Sequence, residues 1–275
     1  MAGKLYIVGT PIGNRGDMSP RAVDTLSSVD FIAAEDTRVT VKLLNHFGIH
    51  TPMVSYHEHN KIERGEEIVS RLMGGQTCAI VTDAGMPAVS DPGRDLVALC
   101  HEKGVSVETV PGPTAVITAL ALSGFESGRF CFEGFLSVNK PRRVEHLQSL
   151  ERETRTMIFY EAPHKLLNTL KDMQGTFGDR RIAFAKELTK LHENVMITTI
   201  PAAVEYFTAN PPKGEFVLVV DGCQPQAEEE ITFERAVEMA AEFKESGQPA
   251  SAAASHAAKI SGFKKSDIYA ALAKM

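Results

Sequence analysis

Apolar residues fall along this chain in short runs, each broken by a cluster of glycine, proline or charged residues. Leu5-Tyr6-Ile7-Val8, Phe31-Ile32-Ala33-Ala34, Met53-Val54-Ser55-Tyr56, Thr77-Cys78-Ala79-Ile80-Val81 and Gly104-Val105-Ser106-Val107-Glu108-Thr109-Val110 are rich in β-branched residues and too short for helices, so they predict strands. Stretches at helical spacing lie between them. One opens at Ser19-Pro20, with Ser at the cap and Pro in the first turn; others cover residues 62–73, start at Arg94, and run apolar over 116–122. This alternation predicts an open α/β domain over residues 1–120. Further strands at Phe130-Cys131-Phe132-Glu133-Gly134-Phe135-Leu136, Thr156-Met157-Ile158-Phe159-Tyr160, Arg181-Ile182-Ala183-Phe184-Ala185 and Gly214-Glu215-Phe216-Val217-Leu218-Val219-Val220 predict a second α/β domain over 121–223 with a mixed sheet. A polar, acidic linker over 224–230 leads to three short helices: residues 233–243, Pro249 to about 260, and Ser266 as cap to about 274. With Gly247 and Gly262 at the turns, residues 224–275 read either as a helix-turn-helix-like domain or as a plain stabilising cap.

Chemistry-bearing residues collect where the strands of the first domain end. Val81-Thr82-Asp83-Ala84-Gly85-Met86-Pro87-Ala88-Val89-Ser90-Asp91-Pro92-Gly93 is a long loop stiffened by prolines, with small residues that admit a ligand and with Asp83, Ser90 and Asp91 as polar handles. Strand, rigid loop and helix put a ligand site at the carboxyl edge of a parallel sheet. Pro111-Gly112-Pro113-Thr114-Ala115 has the same character. Gly9-Thr10-Pro11-Ile12-Gly13-Asn14-Arg15-Gly16 is glycine-rich but lacks the Lys-Ser/Thr of a P-loop and the spacing of GxGxxG, so phosphate cradling is not expected there. Glu35-Asp36-Thr37-Arg38 reads equally as a site at a strand end or as a helix start favoured by acids. His57-Glu58-His59-Asn60 would put both histidines on one face of a strand; with no third ligand nearby, a polar substrate edge is expected and no metal.

A net charge of -6 argues against an indiscriminate nucleic-acid coat protein but leaves room for a local basic face. Asn139-Lys140-Pro141-Arg142-Arg143 is the most basic short stretch, read as a loop before a helix, either solvated or phosphate-facing. Lys186 and Glu187, at another strand end, could simply pair with each other. Cys78, Cys100, Cys131 and Cys223 are scattered without metal spacing, so reduced thiols in a cytoplasmic protein are expected. No signal peptide is expected, and no segment is apolar for long enough to span a bilayer.

Read together, Leu5 to Asn14, Ala34-Glu35-Asp36-Thr37-Arg38, Ser55-Tyr56-His57-Glu58-His59-Asn60, the 82–93 loop, Pro111-Gly112-Pro113-Thr114-Ala115, Tyr160-Glu161-Ala162-Pro163-His164 and Lys186-Glu187-Leu188-Thr189-Lys190 resemble, in this order, the ribosomal RNA small subunit methyltransferase I family. That family is the RNA-acting branch of the tetrapyrrole methylase (class III methyltransferase) superfamily. Lys186 departs from the Arg usual in the family, and Ser137 from a Pro that commonly follows Phe-Leu. The resemblance implies two α/β domains holding S-adenosyl-L-methionine in the cleft between them, a small C-terminal helical domain and a homodimer. It implies 2′-O-methylation of a cytidine ribose in the decoding region of 16S rRNA within the small ribosomal subunit.

On that reading, the cofactor lies against Pro11, Asp83, Gly85, Pro87, Val89, Ser90, Thr114, Ala115, Tyr160, Ala185, Gly214 and Glu215. Glu35, Asp36, Arg38, Lys186 and Glu187 are the catalytic candidates: Glu35 or Asp36 to accept the hydroxyl proton, Arg38 and Lys186 to hold the ribose-phosphate. Arg38, His57, Asn60, Lys140, Arg142, Arg143 and His164 are the candidates for RNA contact. Two alternatives stand beside this reading: C-methylation of a porphyrinoid, and a non-catalytic RNA-binding assembly factor.

Overall fold

The structure, a computed structural model, describes residues 3–224 and 231–274. Most of the acidic linker therefore lies outside the described residues. The chain forms two compact units, residues 1–223 and 224–275.

In the first unit, β1 (Lys4–Val8), β2 (Phe31–Ala34), β3 (Met53–Ser55), β4 (Cys78–Val81) and β5 (Ser106–Val110) form one sheet in the order β3-β2-β4-β1-β5. Every pairing in it is parallel. The central strands are apolar without alternation because both faces are covered. Helices α1 (Pro20–Ser28) and α2 (Thr37–His46) bury Leu26 and Leu44 on one face, while α3 (Lys61–Met73) and α4 (Arg94–Glu102) bury Ile68, Leu72 and Leu96 on the other. Ser19 caps α1 by accepting the Ala22 amide at 3.1 Å, as its place before Pro20 predicts. All these crossovers bring the loops after β1 to β5 to the same sheet edge.

α5 (Ala115–Ser123) follows β5, but its apolar residues Val116, Ala119 and Leu120 pack on the second sheet. The boundary expected at residue 120 thus falls inside a helix that belongs by packing to the second layer. That layer contains β6 (Phe130–Phe135), α6 (Lys140–Ser149), β7 (Thr156–Glu161), α7 (Pro163–Phe177), β8 (Arg181–Lys186), β9 (Asn194–Thr199), α8 (Ile200–Ala209) and β10 (Phe216–Val220). Its sheet order is β6-β7-β10-β8-β9, mixed as expected: β6 and β7 run parallel, and the other neighbours antiparallel. α7 and α8 connect strands of this sheet and cover the face opposite α5.

Two further expectations change. The basic stretch 140–143 is not a loop but the first turn of α6, because Asn139 accepts the Arg142 amide and Pro141 sits where its missing N–H is harmless. His57 and His59 do not share a strand face, because β3 stops at Ser55 and they lie in a turn before α3.

The second unit is a three-helix cluster of α9 (Phe233–Glu245), α10 (Ala250–Ser261) and α11 (Lys265–Leu272). Alanines 236, 240, 254 and 257 form most of its core with Ile268 and Leu272, so the helices approach closely. Ser266 does not cap α11; it lies inside the first turn, with Lys264 at the cap, and its hydroxyl bonds Asp267.

Candidate functional site

The loops at the carboxyl edge of the parallel sheet are built on one another. Thr10 and Gly85 exchange backbone hydrogen bonds at 2.9 and 3.1 Å, joining the loops after β1 and β4. Gly112 donates its amide to the Met86 sulfur at 3.2 Å. A Cβ on Gly112 would lie 2.8 Å from the Gly9 Cα, so these two glycines serve backbone-on-backbone packing and not only ligand access.

The same loops meet the second sheet. The Asn14 amide donates to Thr189 Oγ1 at 3.0 Å, and a Cβ on Gly13 would stand 2.7 Å from the Leu188 carbonyl oxygen. On the other side, Ser90 lies against Gly134, next to a bulge in β6. A cleft therefore runs between the 82–93 loop and the face of the second sheet that carries Tyr160. Among the described residues, the four non-glycine positions with positive φ are Ala88, Ser90, Glu187 and Thr189, all in these facing loops. Each costs about 1–3 kcal/mol, and such strain clusters at ligand sites. The Ala88 amide closes the first loop on the Pro92 carbonyl at 3.2 Å.

Carboxylates gather in this cleft. The Asp83 amide donates to Glu35 Oε2 at 3.4 Å. Burial raises the Glu35 carboxyl above its ordinary range, helped by the charges of Asp83 and Asp36. Burial likewise raises Asp83. Asp91 is pushed up to about 6, first by burial and then by the charges of Glu35 and Asp83. Burial and the nearby charge of Asp91 push the Tyr160 hydroxyl up to about 12. Tyr160 reaches that position from the second sheet, edge-on to Phe132 at 5.0 Å and tilted against Phe135 at 5.2 Å. Asp91 thus sits between the two layers, a half-buried acid with no hydrogen bond or ion pair among the described residues. Its position depends on neighbours distant in sequence, so no local motif marks it as more than a polar handle.

Asp36 differs from these acids. It caps α2 through the Arg38 amide at 2.8 Å and takes both Nε and Nη2 of Arg38, at 3.0 and 2.7 Å. These bonds lower it to about 2. Asp36 therefore starts the helix, and Glu35 lies beside the 82–93 loop through the Asp83 amide.

The other candidates are distributed as follows. Pro11, Gly85, Pro87, Val89 and Ser90 line the loop side, and Val89 holds an apolar side chain 51% exposed on that rim. Thr114 caps α5, accepting the Ile117 amide at 3.3 Å, and Ala115 follows it. Ala185 is buried under α5. Glu187 does not pair with Lys186; it approaches Lys190 at 3.4 Å, and its Oε1 accepts the Glu215 amide at 3.4 Å beside Gly214. Lys186 turns away from α5: it lines a separate cavity with Phe184 and Phe216, on the face covered by α8. That placement removes it from the residues gathered in the cleft.

Asn60 is spent on its own turn, accepting from the His57 amide at 2.8 Å and donating to the Ser55 carbonyl at 3.2 Å. His57 lies within electrostatic reach of Glu35, and its buried Nδ1 has no hydrogen-bond partner among the described residues. Lys140, Arg142 and His164 are exposed. Arg143 is not: it is buried, donating to Asp172 at 2.7 and 2.8 Å and to the Ser137 and Val138 carbonyls. It is a structural ion pair and not a free RNA contact. Among the described residues no cluster of metal-ligating side chains occurs, and no helix is long and apolar enough to cross a membrane. Cys78 and Cys100 are free thiols in the core.

A parallel sheet whose ligand edge closes against a second, mixed sheet is the architecture of a two-layered α/β methyltransferase. Uroporphyrin-III-C-methyltransferase from Thermus thermophilus shares the fold, with a TM-score of 0.56 at 17% identity over 80% of this chain and 94% of that one. Residues 4–204 match the family model of Tetrapyrrole (Corrin/Porphyrin) Methylases. A Synechocystis sp. protein named Ribosomal RNA small subunit methyltransferase I is 55% identical over 82% of this chain and 81% of its own length. The Haemophilus influenzae protein of the same name is 42% identical over 98% and 96%. The chain belongs to the tetrapyrrole methylase family, in the group of ribosomal RNA small subunit methyltransferase I.

Proposed function

We propose that this protein transfers the methyl group of S-adenosyl-L-methionine to the ribose 2′-hydroxyl of a cytidine in the 16S RNA of the small ribosomal subunit. The observation that carries the reading is the cleft itself: strained loops from two sheets facing each other around half-buried carboxylates with raised affinity for protons. The names and high identity of the relatives support the substrate class. An open hollow of about 500 Å³, lined by Pro111, Gly112, Pro113, Thr118, Thr189 and Asp17, lies beside the same loops. That hollow is open to solvent and does not reach Asp91 or Tyr160, so the fit to the donor rests on the small-residue 82–93 loop and on the acids Asp83 and Asp91, which suit its cationic sulfur. When bound, the donor supplies an electrophilic methyl on a sulfonium sulfur.

The residues then divide the work. The loops after β1, β4 and β5, with Tyr160, orient donor and ribose, and orientation alone is worth roughly 7–11 kcal/mol. The acids Asp83 and Asp91 suit a cationic sulfonium nearby. Glu35 or Asp91 accepts the 2′-hydroxyl proton, since a base titrating near the working pH serves best. Asp36, held at about 2 by Arg38, is the weaker base of the pair first considered. Arg38, 88% exposed at the cleft edge, is placed to meet a phosphate. Lys140, Arg142, His57 and His164 extend an RNA-facing rim. A homodimer acting in the cytoplasm completes the reading.

Labelled donor incubated with purified small subunits, followed by digestion to nucleosides, is the test. Label in 2′-O-methylcytidine is expected; label absent from the RNA, or on a base, overturns the proposal.

A further inference from the structure

We propose that the cavity on the α8 face of the second sheet is a docking pocket for one nucleotide of the RNA substrate, outside the cleft where methyl transfer occurs. The proposal rests on the RNA methyl-transfer reading above.

The cavity is about 240 Å³, lined by Phe184, Lys186, His192, Tyr206, Lys213 and Phe216 among others, and none of its lining residues is acidic. The side chains of Lys186, His192 and Lys213 have no ion pair or hydrogen bond among the described residues. Several other cations are matched, such as Arg38 with Asp36, Lys61 with Asp95, Arg143 with Asp172, Arg155 with Glu153 and Lys190 with Glu187. In a chain of net charge -6, two unmatched lysines around one concave, acid-free wall form a local reversal of sign that suits an anion.

The rest of the wall is aromatic. Tyr206 is 48% exposed and stands edge-on to the buried Phe207 at 5.1 Å, which offers a fixed ring for a base to stack on. A volume below the roughly 300 Å³ that encloses a drug-sized ligand limits the occupant to about one nucleotide. Phosphate-binding cations beside a half-exposed ring are the combination that holds single-stranded nucleic acid without reading its sequence.

The pocket is mechanically joined to the cleft. Lys186 precedes the 187–193 loop and His192 lies within it, and Leu188 and Thr189 of that loop meet Gly13 and Asn14 of the first layer. RNA held behind the sheet would be held on the loop that closes one side of the cleft. The Arg usual in the family at position 186 is Lys here, which keeps the charge and gives up the fork.

Lys213→Ala and Tyr206→Ala in the full chain provide the test, with KM and kcat for methyl transfer to purified small subunits as the readout. Each change is expected to raise KM roughly tenfold with kcat at saturation preserved. Lys213→Ala should also reduce the salt slope of RNA binding by about one, and Lys213→Arg should restore it. Donor affinity by calorimetry and the thermal midpoint should stay at the wild-type values. Unchanged KM and salt slope in both variants overturn the pocket; so does weakened binding to whole subunits with unaltered binding to protein-free 16S RNA, which assigns it to a ribosomal protein. If the wild-type chain fails to methylate in the same assay, the functional reading falls instead.

Discussion

Replacing Asp91 by Asn tests the electrostatics of the cleft without disturbing its shape. The Asp91 carboxyl, ordinarily near 3.8, is pushed up to about 6 by burial and by the charges of Glu35 and Asp83. Each pKa unit is worth about 1.4 kcal/mol, so a fully dry group would cost about 3 kcal/mol when ionised. Asp91 keeps part of its surface in water, which reduces the expected penalty to about 1 kcal/mol. The sign follows from linkage. Below pH 3.8 the acid is protonated in both folded and unfolded chains and contributes nothing. Between 3.8 and about 6 the unfolded chain loses the proton first, so stability falls as pH rises. Above about 6 the full penalty persists. Asp91→Asn should therefore be about 1 kcal/mol more stable than wild type at pH 7.5, with the difference vanishing below pH 4. Urea unfolding at a series of pH values measures it. A variant less stable than wild type at pH 7.5, or a difference that does not change with pH, refutes the reasoning. If Asp91 is the base, the same variant also loses turnover by roughly a hundredfold.

Other perturbations separate the roles of neighbouring residues. Glu35→Gln should lower turnover by roughly a hundredfold, whereas Asp36→Asn keeps a good cap on α2 and should leave turnover near wild type; equal losses in initial-rate assays would contradict the ranking of the two acids. Arg143→Ala leaves the buried Asp172 with only the Lys140 amine, 3.9 Å away, so denaturant titration should show a loss of up to about 3 kcal/mol while the salt slope of RNA binding stays unchanged. Gly112→Ala drives a methyl group into the Gly9 backbone and should cost about 1–3 kcal/mol, with weaker donor binding in calorimetry.

Much of the fold is legible locally because the short parallel strands are buried on both faces and read as unbroken apolar runs. Caps at Ser19 and the loops at the strand ends are legible for the same local reason. β9 is not among the expected elements: it is an edge strand with residues partly exposed on both faces, so its pattern shows no clean alternation. α8 is apolar around most of its circumference and has no stripe to count. α7 did carry a signal, Leu166, Leu170, Met173 and Phe177 at helical spacing. The start of α6 carried another, Asn139 before Lys140-Pro141, which marks a capped helix and not a loop.

At the site, the local sequence locates the loops but not the partners. Parity along β8 separates Lys186 from Ala185, because successive strand residues face opposite sides; the pairing of Lys186 with Phe216 puts it on the α8 side. Nothing local distinguishes Arg143, inside the hydrophobic layer with Asp172, from the exposed Arg142 beside it. The same holds for Asp91, whose proton affinity comes first from burial and then from Glu35 on another loop and Asp83 at the far end of its own.

The most direct measurement is a crystal structure of the chain soaked with S-adenosyl-L-methionine. The account predicts the donor between the 82–93 loop and the Tyr160 face of the second sheet, with its sulfonium toward Asp91 and Glu35. Donor density on the α8 face, beside Lys186 and Tyr206, would contradict it.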